Sequence, residues 1–197
     1  MTAPLDLDLG VEAGDWQKTE IDAIEAAVIA ALDGACDDGA LWDENALPTD
    51  GTKDEGDGAS LLSMAPVIEV GVRLSDDASV RVLNRDYRDK DKPTNVLSFA
   101  ALESAEDADA FLMAPDMPLI LGDIVIARET CAREAVDQKK SLNNHLVHLA
   151  VHGTLHLVGY DHMVDDEAEE MEELERQILA GLGIDDPYAP IEDEPGL

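Results

Sequence analysis

The sequence predicts an α+β domain: a small mixed sheet packed against helices. Three observations predict it. Short stretches of alternating or β-branched apolar residues recur at 3–12, 66–75, 94–101 and 119–127. Segments with apolar residues at helical spacing fall between and after them. Most of those helical segments follow the last strand, so the helices gather at the C-terminal end.

The elements follow in chain order. Residues 3–12 alternate Leu5, Leu7, Leu9 and Val11 with polar positions, the pattern of a half-buried strand. Residues 15–33 carry Trp16, Ile21, Ile24, Val28 and Leu32 at helical spacing. Residues 34–60 break every period, and eight acids with one lysine give them −7. This stretch is expected to be a flexible acidic insertion. Residues 66–75 read as a strand. Asp76 or Asp77 then caps a helix over 77–87 with Val80, Leu83 and Tyr87 on one face. TNVLSFAA (94–101) and LILGDIVIA (119–127) are β-like, separated by an acidic loop from Glu103 to Pro118. Helices are expected near 128–138, from Leu142 to Val158, and over 166–182. In the last, Asp166 and Glu169 resemble a capping box. Ala168, Met171, Leu174, Ile178 and Leu182 form its buried stripe, and the acid run DDEAEEMEELE is its solvated face. The expected organisation is one domain made of 1–33 and 61–190, with 34–60 inserted and 191–197 as a tail.

Composition bounds the function. The 197 residues are 45% hydrophobic, enough for a proper core, and no apolar run approaches the ~20 residues of a membrane span. The start, MTAPLDLDLG, lacks the basic and apolar regions of a signal peptide, so a cytoplasmic location is expected. Cys36 and Cys131 have no metal-binding or redox spacing. Cys131 reads as a small core residue in a helix. The formal charge of −32, from 13 basic and 45 acidic residues, argues against general nucleic-acid binding.

All five histidines lie between 145 and 162. His152 and His156 are four residues apart, so on a helix they share a face, one turn above the other. Gly159 is placed to end that helix in a left-handed turn, which brings His162 back toward the pair. Three imidazoles leave a fourth position open, the arrangement of a catalytic rather than a structural zinc. The spacing His-x3-His-x2-Gly-x2-His is metzincin-like in all but its second residue. Position 153 is Gly, where a zinc peptidase carries its general-base Glu. Asp161 could substitute for that base, or simply buttress the turn. His148 lies on the same helix face and is expected to line the cleft as a polar residue, with support of a ligand from behind or a place as fourth ligand as the alternatives. One zinc ion is the expected cofactor, although three imidazoles also accept nickel or copper. The domain is therefore expected to be a metal-dependent hydrolase.

One stretch gathers cations: Arg81, Arg85, Arg88, Lys90 and Lys92 leave 81–92 at +2, whereas 161–197 stands at −13. Screening acts over ~8 Å, so a local patch can still hold a phosphate, and the arginine fork suits one. Charge alone fits a solvated helix end equally well.

RDYRDKDKPTNVLSF (85–99) and HGTLHLVGYDH (152–162) closely resemble the YbeY family of bacterial endoribonucleases, also called ribosomal RNA maturation factors. LGDIVIA and the tail DDEAEEMEELE…DPY look similar too, so the resemblance spans about 66–188, with a weaker likeness in the first strand and helix. The stretch 34–60 lies outside the family's common pattern. The resemblance implies an α+β metalloprotein whose zinc is held by His152, His156 and His162, with Arg88 matching the family's functional arginine. It implies cleavage of single-stranded ribosomal RNA, maturation of the small-subunit RNA at its 3′ end, and ribosome quality control. The implied partners are the small ribosomal subunit and its assembly factors, with no membrane. Zinc brings the pKa of its water near ~7 and polarises a phosphoryl oxygen, and Arg88 is suited to stabilise charge growing on the phosphate. Asp123 and Asp161 are candidates for positioning water or ligands, although turn and cap hydrogen bonds are the favoured reading of both, and Asn95 and Ser98 either line the cleft or simply pack as strand residues. Two alternatives remain: a zinc peptidase or amidohydrolase, and a non-catalytic ribosome-assembly factor in which zinc orders the last helices. The negative charge predicts weak non-specific RNA binding, and so a need for partners or a narrow basic groove.

Overall fold

The computed structural model describes residues 2–38, 61–102, 107, 114, 116–160, 162 and 165–189. Four strands form one sheet: β1 (Leu5–Val11), β2 (Ile68–Ser75), β3 (Val96–Ala100) and β4 (Leu119–Ala127). Their spatial order is β1-β2-β4-β3. β1 pairs parallel with β2, β2 parallel with β4, and β3 antiparallel with β4. The sheet is therefore mixed, as expected, with β3 at one edge.

Alternation builds the buried face. Ile68, Val70, Val72 and Leu74 of β2 point into the main core, and Leu5, Leu7 and Leu9 of β1 pack against it. In β4 the parity changes midway. Glu69 opposes Ile120, but Val70 opposes Gly122, so Leu121 is an extra residue in a bulge. Leu119 and Leu121 face the core before it, Ile124 and Ile126 after it. Gly122 has φ 125°, and a Cβ there would lie 2.0 Å from the Phe99 carbonyl oxygen. Only glycine fits that crossing.

Three helices cover this face: α1 (Lys18–Asp38), α5 (Leu142–Leu157) and α6 (Asp165–Gly181). The 21-residue α1 runs five residues beyond the expected end at 33. Ala35 is fully buried, and Gly34 is a packing contact rather than a break, because a Cβ there would lie 2.7 Å from Ile178. The remainder of the expected insertion, 39–60, lies outside the described residues, as does most of the acidic loop before Pro118. A short helix not read from the sequence, α2 (Leu61–Met64), buries Leu61 and Leu62.

α5 is buried on most sides, with Leu146, Val147, Ala150, Val151, Leu155 and Leu157 in the core. Ser141 caps it by accepting from the Asn144 amide at 3.1 Å. α3 (Asp77–Arg88) lies on the opposite face of the sheet, where Val80 meets Leu97, Val125 and Ala127. Asp76 is its N-cap, accepting from the Ser79 amide at 2.8 Å. α4 (Arg128–Asp137) follows β4 directly and packs on α3 and α5. An Arg128–Glu20 ion pair, with contacts of 3.0 and 2.7 Å, ties its start to the start of α1.

Candidate metal centre

α5 supplies the first two imidazoles. His152 and His156 stand one turn apart, and their Nε2 atoms face each other at 3.1 Å. The helix ends at Leu157. Gly159 then takes φ 95°, and the Tyr160 amide donates back to the Leu155 carbonyl at 3.1 Å. The reversal sets His162 against the pair. Its ring stacks on His152 with centroids 5.6 Å apart and meets His156 edge-on at 5.0 Å. One ring nitrogen from each of the three lies within 4.8 Å of the others.

The outer nitrogens fix the tautomers. His156 Nδ1 is 2.9 Å from the Tyr160 carbonyl oxygen, which can only accept, so Nδ1 carries the hydrogen. His152 Nδ1 is 2.7 Å from Glu175 Oε1. Burial raises the Glu175 pKa, but donors from His148, His152 and Tyr188 outweigh it and hold the carboxyl at about 2. It is therefore ionised and also accepts from His152 Nδ1. With both Nδ1 atoms protonated, the two Nε2 atoms would turn bare lone pairs toward each other at 3.1 Å unless a cation stood between them. A proton or a metal cation between them relieves that repulsion, so the donor set fits a metal held by three imidazoles.

Glu175 is the candidate site residue that sequence reading missed. The acid run of α6 is not wholly a solvated face: the Glu175 side chain is 0% exposed. Its Oε2 accepts from His148 Nε2 at 3.0 Å and from the Tyr188 hydroxyl. A signal was present. The buried stripe of α6 runs through Met171, Leu174, Ile178 and Leu179, and Glu175 falls inside it. Leu182, expected in that stripe, is exposed. Asp161 and the Asp166 side chain lie outside the described residues, so the substitute base and the capping box are not placed. His148, expected first as a polar residue lining the cleft, instead holds Glu175 from α5, the supporting role that was its alternative.

Beyond His148 the polar line continues. Buried His145 is 2.9 Å from Glu134 Oε2 through its Nε2, and Asn95 Nδ2 donates to the same oxygen at 2.9 Å. Burial lowers the His145 pKa despite Glu134. Asn95 thus serves this internal network. Ser98 Oγ donates to the Gly153 carbonyl at 3.0 Å, a packing contact between β3 and α5. Gly153 itself faces the sheet: a Cβ there would lie 3.1 Å from Ser98 Oγ and 3.2 Å from Ile124 Cγ2. A side chain at position 153 would press into the sheet, so the position is ill suited to a general-base carboxylate. Asp123 is exposed beside Gly71, on the sheet face opposite α5.

Arg88 is the last residue of α3 and is exposed. The structure brings the three histidines together on α5 and the turn after it, whereas Arg88 ends α3, the helix on the opposite face of the sheet. Its neighbours are paired: Arg81 with Asp91 at 2.7 Å, Arg85 with Asp86 at 2.7 Å. Arg88, Lys90 and Lys92 make no side-chain ion pair among the described residues. No helix in the described residues is long and apolar enough to cross a membrane.

The family model described as "Endoribonuclease YbeY" matches residues 58–183. An "Endoribonuclease YbeY" from Paramagnetospirillum magneticum is 61% identical over 122 residues, 62% of this chain and 72% of that protein. One from Rhizorhabdus wittichii is 48% identical over 171 residues, 86% of this chain and 99% of that one. A solution structure from Thermotoga maritima superposes with a TM-score of 0.47 at 18% identity, covering 94% of this chain and all of the other.

Proposed function

Because the chain belongs to the YbeY family of endoribonucleases, we propose that it is a zinc-dependent single-strand endoribonuclease of the cytoplasm. Its substrate in this reading is ribosomal RNA, cut during maturation of the small-subunit 3′ end and in ribosome quality control. The small subunit and its assembly factors are its partners.

The convergence of His152, His156 and His162 within 4.8 Å carries the metal part of this reading. The helix and its glycine turn act as a metzincin-like metal-binding device, in which the close packing of Gly153 stands where that motif carries its general-base glutamate. A zinc ion held there supplies Lewis acidity toward a phosphoryl oxygen and acidifies a water molecule. The chain's own groups do the rest. Glu175 and the Tyr160 carbonyl hold His152 and His156 in the tautomer that presents Nε2 inward. His148 and Tyr188 hold Glu175. Arg88, with no ion pair among the described residues, is available to a phosphate and stabilises the charge that develops on it.

The test is cleavage of single-stranded ribosomal RNA by wild type and Arg88→Ala, with and without chelator. Loss of cleavage in Arg88→Ala and on chelation, with folding unchanged, is expected. Equal cleavage by both proteins in the presence of chelator would contradict the reading and favour a non-catalytic assembly factor.

A further inference from the structure

We propose that Tyr87, flanked by Arg88, Lys90 and Lys92, is a stacking site for an unpaired base of the RNA; this rests on the ribonuclease reading above.

Tyr87 is 69% exposed at the end of α3, although helical spacing places it with Val80 and Leu83. Its ring contact among the described residues is edge-on with Phe99, centroids 5.1 Å apart at 67°, which orients the ring and leaves most of it bare to solvent. An exposed aromatic ring that packs so little contributes little to the core. Next to it stand three cations with no ion pair among the described residues, in a chain of charge −32. Two acids of the same segment are engaged elsewhere. Asp91 is held in a two-point pair by Arg81 at 2.7 and 2.9 Å, and Asp86 is held by Arg85.

The backbone that carries these groups is pinned. Asp89 takes a left-handed φ of 57° and donates to the Arg85 carbonyl at 3.1 Å. Buried Asn84 donates to the Lys92 carbonyl at 2.8 Å. An oriented ring beside cations on a fixed backbone is the combination that holds single-stranded nucleic acid: the cations take the phosphates and the ring takes a base. It also answers how so acidic a chain engages RNA, through one small basic patch rather than a basic surface.

The patch and the metal centre are linked through β3. Phe99 meets Tyr87 on one side of that edge strand. The preceding residue, Ser98, bonds on the other side to Gly153, next to His152. A single strand crossing the edge formed by β3 passes from the stacking site to the histidines.

The test uses fluorescence anisotropy with a labelled, cleavage-resistant single-stranded oligouridylate and a matching oligomer of abasic sugar phosphates. Wild type, Tyr87→Ala, Tyr87→Phe and Lys92→Ala are compared over a range of salt. Stacking predicts that Tyr87→Ala weakens oligouridylate binding about 5- to 150-fold, with the salt slope unchanged. Tyr87→Phe restores binding, and the abasic oligomer binds wild type and Tyr87→Ala alike. Lys92→Ala lowers the salt slope by about 0.7 for both oligomers. Wild-type binding with no loss in Tyr87→Ala overturns the stacking site and leaves the ribonuclease reading standing. No binding of oligouridylate by wild type overturns both.

Discussion

Glu175 Oε1 lies 2.7 Å from His152 Nδ1, so a fully buried carboxylate on α6 sets the orientation of the first imidazole of the histidine cluster on α5. The same carboxylate reaches His148 and Tyr188. Glu175→Gln keeps the volume but gives up the charge and one acceptor. It is expected to weaken zinc binding about 10- to 100-fold, as such outer partners do elsewhere. Competition against a calibrated chelator measures this, with circular dichroism to show that the helices remain.

Acid stability follows from the same residue. The folded pKa of Glu175, about 2, lies below its ordinary value of 4.5, so it contributes stability above about pH 4.5. That contribution is lost as pH falls toward 2. Glu20, whose pKa is also lowered because Arg128 and a backbone amide outweigh burial, acts in the same direction. Unfolding followed by tryptophan fluorescence should show a stability decline below pH 4.5 that is shallower in Glu175→Gln.

Gly153→Glu is expected to destabilise the fold rather than create a peptidase. The new side chain would enter the contact of α5 with Ser98 and Ile124, where a Cβ alone already stands at 3.1–3.2 Å. Overpacking of this kind costs about 1–3 kcal/mol, and burying a carboxylate adds to it. Urea denaturation of the variant measures the loss, and peptide hydrolysis by it should be absent.

Gly122→Ala should weaken the pairing of β3 with β4. The residue has φ 125°, and a Cβ would overlap the Phe99 carbonyl at 2.0 Å. A drop in thermal midpoint of several degrees is expected, with faster amide exchange in β3 than in β2.

Cys131 is fully buried and its thiol pKa is pushed up by burial. A thiol reagent should therefore label at most one cysteine, Cys36, in the native protein and both in denaturant.

Much of this structure is legible in the sequence, for physical reasons that differ by element. Alternation over 68–75 names β2 because one face of that strand is buried and the other is not. His152, His156, Gly159 and His162 are legible as a cluster because a helix turn and a left-handed glycine impose the geometry locally. Glu175 is not legible in that way, since its partners sit 23 and 27 residues earlier on another helix. In an acid run, one buried carboxylate looks like its neighbours until the helix phase is fixed by Met171 and Ile178. The bulge at Gly122 is equally hidden, because only the register against β2 reveals the extra residue. The extension of α1 through Gly34 was obscured by a glycine whose role is the approach of α6.

The most direct measurement is the metal content of the untagged protein and of His156→Ala, by elemental analysis after dialysis against trace zinc. The account predicts one zinc per wild-type chain and its loss from the variant, with both proteins folded. A wild-type chain that holds no metal, or a variant that holds as much, would contradict it.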